Sequence, residues 1–234
     1  MPGIWEAFAA AIRLIWGADP DLWRIIALSL GVSGSAVLAA SALGLPLGAL
    51  IALYRFPGRG ALVVALNAAM GLPPVVVGLV VYLLLSRAGP LGPLGLLFTP
   101  PAMVVAQTVL VLPIIAALAR QTIEDLWREY EEQLRSLGAS RPRAALTLLW
   151  DGRFSLLTTV LAGFGRAIAE VGAVIIVGGN IAGVTRTMTT SIALETSRGD
   201  LPLALGLGIV LISLTALINA AAFVIGETAR RAGG

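Results

Sequence analysis

The chain has 234 residues, 58% hydrophobic and only 12% charged, with a net charge of +3 and a mean hydropathy of +0.93. A soluble domain is about 45–50% apolar and about 25% charged, so this chain has too little polar surface to cover a globule in water and needs lipid around it. All 16 basic residues are arginine; without lysine, histidine or cysteine, the ordinary phosphate-cradling P-loop, zinc sites, disulfides and histidine-activated nucleophiles are excluded.

Met1–Gly17 lacks the basic start of a signal peptide and spreads Trp5, Phe8, Ile12, Leu14, Ile15 and Trp16 around Glu6 and Arg13. This pattern predicts an interfacial helix with tryptophans at headgroup level. Five stretches then reach the roughly 20 apolar residues that a membrane crossing requires: 25–53, 61–85, 102–119, 155–178 and 201–225. The expected fold is therefore all-α, a polytopic transmembrane bundle forming a single domain over residues 1–234. In the first span Gly44 and Gly48 form a G-x-x-x-G pair that permits close helix contact. Gly71, Pro73 and Pro74 break the start of the second, and Pro113 is expected to break the third in the same way; such breaks are hinges or merely shape the bundle. Gly89–Pro101, rich in glycine and proline and uncharged, is expected to lie along the outer interface.

Between spans three and four, residues 121–150 read as two short cytoplasmic helices. Ile123, Leu126, Trp127, Tyr130, Leu134 and Leu137 fall on one helical face. Glu124 and Glu131 each precede an arginine (Arg128 and Arg135) by four, the favourable order. Gly138 is a natural stop, and Ser140 and Pro142 suit the start of a second helix running to Trp150. Periodicity leaves two roles open for this pair, a connection lying on the membrane surface or a docking element.

The fourth span carries Arg166 and Glu170 four residues apart on one face. A charge inside a membrane costs at least about 2.5–3.5 kcal/mol, so it faces protein or water and finds a partner. Mutual neutralisation that fixes packing is favoured over an Arg166 that lines a path and attracts an anion. Gly178-Gly179-Asn180 ends this span. Thr187–Ser197 is expected to form a short helix, and Asp200 and Pro202 open the fifth span.

Ten arginines (55, 59, 120, 128, 135, 141, 143, 153, 230 and 231) fall on one set of connections and five (13, 24, 87, 186 and 198) on the other, with Arg166 inside a span. The richer side should be cytoplasmic, which puts the N-terminus outside and the C-terminus inside. A self-contained secondary transporter would show an internal repeat or several ion-coupling carboxylates in its spans; neither is found, and a membrane enzyme would lack most catalytic groups.

Glu132-Gln133-Leu134-Arg135-Ser136-Leu137-Gly138 resembles the ATPase-coupling motif of ABC importer permeases, with Gln133 and Leu134 in place of its two small residues. The runs Gly71–Gly78, Leu112-Pro113, Ser136–Ser140, Gly163–Ala173 and Gly178–Asn180 resemble the oxyanion group of these permeases, which serves molybdate, sulfate and tungstate. Ile181–Thr190 and Ala193–Ser197 are most similar to tungstate permeases. The resemblance covers nearly the whole chain. It implies a type I importer permease fold that works as a homodimer in the cytoplasmic membrane. Each copy would have a separate ATPase beneath it, binding ATP and magnesium, and an extracytoplasmic binding protein would deliver the oxyanion from above. It assigns Trp127, Tyr130, Glu131, Glu132, Leu134 and Gly138 to ATPase coupling. Pro73, Pro74, Pro113, Arg166, Glu170 and Gly172 become candidates for the path or its hinge. Asn180, Thr189 and Thr190 either form the outer entrance or belong to a capped surface loop.

Overall fold

A computed structural model describes residues 20–232 and, before them, Trp5, Ala9, Ile12 and Trp16. The expected interfacial helix falls mostly outside the described residues; Trp5, Ile12 and Trp16 are helical and exposed.

Among the described residues every regular element is helical. In chain order these are α1 (Pro20–Leu53), α2 (Arg59–Ala69), α3 (Pro74–Leu85), a 3₁₀ turn (Gly92–Leu94), α4 (Pro100–Ser136), α5 (Arg141–Asp151), α6 (Arg153–Ile168), α7 (Gly172–Gly178), α8 (Met188–Arg198) and α9 (Leu201–Ala232). Three of them, α1, α4 and α9, are long and apolar enough to cross a membrane alone. The other two expected spans are bent pairs. α2 and α3 meet at 103°, and α6 and α7 at 59°, so the count reaches five only if each bent pair makes one crossing.

The expected second span is thus corrected to two helices. Pro73 and Pro74 have no N–H to donate, and Pro73 takes an extended conformation (ψ 123°) that closes off α2 and caps α3. α2 is 11 residues long, about 16 Å, and Leu66 is its one buried residue. The third span needs the opposite correction. No break occurs near residue 119: α4 runs unbroken for 37 residues, about 55 Å, from the apolar core into the amphipathic stripe. Pro113 lies inside it, buried, and does not end it. Proline deletes one bond of the ladder, and the packing of Val111, Ile115 and Ala116 at 0% exposure holds the helix through that gap.

The core is organised around α1 and α4, which share the most extensive interface. Gly44 and Gly48 make that interface close. A Cβ at Gly48 would lie 2.6 Å from the Ala116 carbonyl oxygen and 2.8 Å from the Arg120 nitrogen. α3 and α7 approach equally closely through Gly78, where a Cβ would come within 2.7 Å of Ala173 Cα. At one end of the bundle Gly138, with φ 70°, terminates α4. Its N–H bonds the Arg135 carbonyl and that of Ala139 bonds the Leu134 carbonyl, a Schellman turn. The same device at Gly199 (φ 82°) ends α8, and Asp200 immediately caps α9 by accepting from the Leu203 N–H at 3.1 Å. α8 starts as expected, with Thr187 and Thr190 in a reciprocal capping box.

Candidate functional site

Two clusters are built on this frame. The first is the break between α6 and α7. Glu170 is 3% exposed, and its carboxylate serves two donors at once. Arg166 Nη1 donates to Oε2 at 2.5 Å, and the Ala173 N–H donates to Oε1 at 3.1 Å. The carboxylate therefore holds the last turn of α6 and starts α7, satisfying a donor that the helix start leaves open. Its backbone carbonyl also accepts from Thr189 Oγ1 at 2.8 Å, which ties α8 to the same point. Gly172 keeps this corner thin, because a Cβ there would sit 2.9 Å from Val75 Cγ2 on α3. The Arg166 side chain stays 34% exposed. The pairing expected between Arg166 and Glu170 is present, and one side of the guanidinium remains open.

One residue at this corner was not read from the sequence. Gln107 on α4 is 3% exposed, and its Nε2 donates to the Ala167 carbonyl at 2.9 Å, while its Oε1 has no partner. A lone glutamine in an apolar run was the available signal, but only the fold sets it beside the end of α6.

Asn180, Thr189 and Thr190 do not form an open rim in this chain. Asn180 adopts φ 50° and turns the chain after α7; its Nδ2 approaches the Thr190 carbonyl at 3.4 Å. Thr189 and Thr190 are buried, with hydroxyls committed to the Glu170 carbonyl and to the α8 cap. Of the two readings of this stretch, the geometry is that of a capped loop.

The second cluster is the glycine-turned helix pair formed by the end of α4 and α5. Its apolar stripe points inward. Ile123 is fully buried, and Leu126, Trp127, Tyr130 and Leu134 pack against Ala49, Leu53, Ala145 and Leu148. That corrects the expectation of a free docking stripe: the stripe seats α5 and the end of α1. What remains outside is the turn, with Glu132 and Gly138 exposed, Leu137 82% exposed, and Leu146 and Trp150 nearly as open on α5. Glu131 pairs with Arg135 at 2.6 Å, as the spacing predicts. Glu124 does not take Arg128, which turns to Asp125 at 3.4 Å. Glu124 is instead gripped by Arg59 from α2 and by Arg120 at 2.6 Å. Arg59 Nε also donates to the Ile51 carbonyl at 2.7 Å, and Arg141 Nη1 to that of Leu53 at 2.8 Å. Two arginines thus satisfy carbonyls that the end of α1 leaves open.

A continuous helix that carries a buried bundle into an exposed glycine turn can transmit a push at the turn to the membrane core. Residues 44–230 match the family described as binding-protein-dependent transport system inner membrane component. The chain belongs to this family. It is 41% identical to a tungstate uptake system permease of Peptoclostridium acidaminophilum over 97% of this chain and 100% of that protein. A probable anion ABC transporter permease of Haloferax volcanii is 40% identical over 85% of this chain and 88% of its own length. The molybdenum transport permease of Escherichia coli K12 is 32% identical, covering 74% and 79%.

No group of three or more metal-ligating side chains occurs among the described residues. The two clusters offer positioning: a buried ion pair at the α6–α7 break and an exposed glycine turn at the end of α4.

Proposed function

We propose that this chain is the transmembrane permease subunit of an ABC importer that carries an oxyanion, tungstate foremost, into the cytoplasm. The observation that carries the reading is the unbroken α4, joining the Glu170 corner and the apolar core to the exposed turn at Gly138. The substrate class is supported by relatives named for tungstate and molybdenum transport, with the higher identity on the tungstate side.

Two copies would pair around a central path. With no lysine in the chain to build a P-loop, ATP and magnesium are assigned to a separate ATPase subunit. Its docking surface is the rim of the turn, with Glu132, Leu137 and Gly138 on one helix and Leu146 and Trp150 on the next. An exposed tryptophan beside exposed leucines is a suitable anchor for a partner groove. An extracytoplasmic binding protein would deliver substrate to the α8 end. Arg166 and Glu170 act as a salt-bridged hinge at the α6–α7 break. The Arg166 face left open offers a weak attraction to the anion rather than a tight site, which would stop release.

The test is uptake in vesicles containing this chain, its ATPase and its binding protein. ATP-dependent accumulation of tungstate, with molybdate competing, is the expected result. Flux of equal size without ATP would sink the proposal, and accumulation of sulfate but not tungstate would reassign the cargo.

A further inference from the structure

At the end of the bundle bearing Gly138, a cavity of about 530 Å³ opens beside the C-terminus of α1. Five arginines line it: Arg55, Arg59, Arg128, Arg135 and Arg141. The carboxylates in its wall are Glu124 and Glu131, so positive charge is left in excess. The two carboxylates are already engaged, Glu124 by Arg59 and Arg120 and Glu131 by Arg135. Arg55 engages no carboxylate among the described residues. Arg141 donates to the Leu53 carbonyl and stacks over the Tyr54 ring at 5.3 Å, and it pairs with no carboxylate among the described residues. Two unneutralised guanidiniums therefore flank one opening, and guanidinium geometry matches the oxygens of a phosphate.

The level of the cavity indicates where such a phosphate comes from. Leu53 is the last residue of the apolar α1, and Tyr54 and Trp127 sit beside the opening, as aromatic residues do at headgroup depth. Ala52, Leu53 and Trp127 line the cavity together with the arginines, and Phe56, next to Arg55 along the chain, is 40% exposed. A soluble anion needs no such apolar border, whereas the acyl chains of a lipid do. Basic pockets at the end of a membrane bundle take anionic headgroups, and the cavity is of the size that holds a compact polar ligand.

We propose that this cavity binds the phosphate of an anionic phospholipid, with Arg55 and Arg141 as its principal contacts and the acyl chains lying along Phe56 and α2. A lipid held there would bridge α1, α2 and α5 next to the coupling turn. The proposal requires only that the chain sits in a membrane; it does not depend on the cargo.

The test is thermal unfolding of the purified full-length chain in non-ionic detergent, titrated with phosphatidylglycerol, phosphatidylcholine or inorganic phosphate. Phosphatidylglycerol should raise Tm by several degrees and phosphatidylcholine should not. Arg55→Gln combined with Arg141→Gln should remove at least half of that rise, and Arg143→Gln, an exposed arginine outside the cavity, should retain it. Arg55→Gln alone serves if the double variant folds poorly, because Arg55 makes no hydrogen bond or ion pair among the described residues. An equal rise with phosphatidylcholine, a full rise with inorganic phosphate alone, or a rise undiminished in the variants would each overturn the proposal. Variants that keep the lipid effect but lose association with the ATPase would show that the cavity belongs to a protein interface.

Discussion

Glu170 shows how much one carboxylate holds. Its side chain bonds Arg166 and the Ala173 N–H, and its carbonyl accepts from Thr189, so three helices meet through one residue. Glu170→Gln keeps the shape and removes the charge, leaving Arg166 without its counter-ion. A broken buried pair costs about 3–5 kcal/mol, and the partial exposure of Arg166 reduces that to about 2 kcal/mol. The expected outcome is a clear fall in Tm for Glu170→Gln and a smaller one when Arg166→Gln is added, because the second change removes the orphaned charge. A double-mutant cycle on thermal unfolding measures this coupling, and strictly additive losses would refute it. The pair itself was legible from its spacing of four. The bonds to Ala173 and Thr189 were not, because they depend on the α6–α7 break and on a residue 19 positions away. Gln107 was invisible for the same reason: its partner is 60 positions further along the chain.

Local chemistry was a good guide to where the shorter helices begin and end and a poor guide to continuity. Ser140, Thr187, Asp200 and Gly138 mark boundaries that the structure keeps. Hydropathy alone, however, joined α2 to α3 and divided α4 at the first polar residues, because it measures affinity for lipid and not the direction of the axis. The apolar stripe from Ile123 was read with the correct face and assigned the wrong neighbour, since an amphipathic pattern says that a face is covered and not by what. Gly48→Ala should lower stability by about 1–3 kcal/mol, since its Cβ would meet the backbone of α4, which cannot move aside as a side chain could. Thermal unfolding checks it, and an unchanged Tm would mean that α1 and α4 are not in such close contact. Gly138 has open space around it, so a substitution there meets strain from its positive φ alone. Gly138→Ala should cost about 1–2 kcal/mol and Gly138→Asn less, because asparagine tolerates the left-handed conformation. Limited tryptic cleavage after Arg135 and Arg143, which flank the turn, should speed up in the same order. Equal rates for alanine and asparagine would remove the strain argument.

At the scale of the whole molecule the arginines sort by end. Arg59, Arg120 and Arg141 gather around the termini of α1 and α5, while Arg24 and Arg186 line a small cavity at the opposite end. This separation is what the positive-inside rule needs if the molecule is to have a fixed orientation. The function proposed above places the Gly138 turn in the cytoplasm, facing the ATPase, and the α8 end outside. The absence of cysteine makes this directly testable, because any single introduced thiol is the only reactive one. Leu137 and Ser197 are exposed and lie at opposite ends, each at the edge of a glycine turn whose geometry does not depend on its side chain. Ser197→Cys should react with a membrane-impermeant maleimide in intact cells, and Leu137→Cys only after the membrane is opened. The reverse pattern would invert the orientation and separate the Gly138 turn from ATP, since a docking rim on the outer face could meet no cytoplasmic ATPase. Labelling of both in intact cells would instead mean that the bent pair α6–α7, the one candidate crossing between Leu137 and Ser197, does not carry the chain through the membrane but turns back to the face it left.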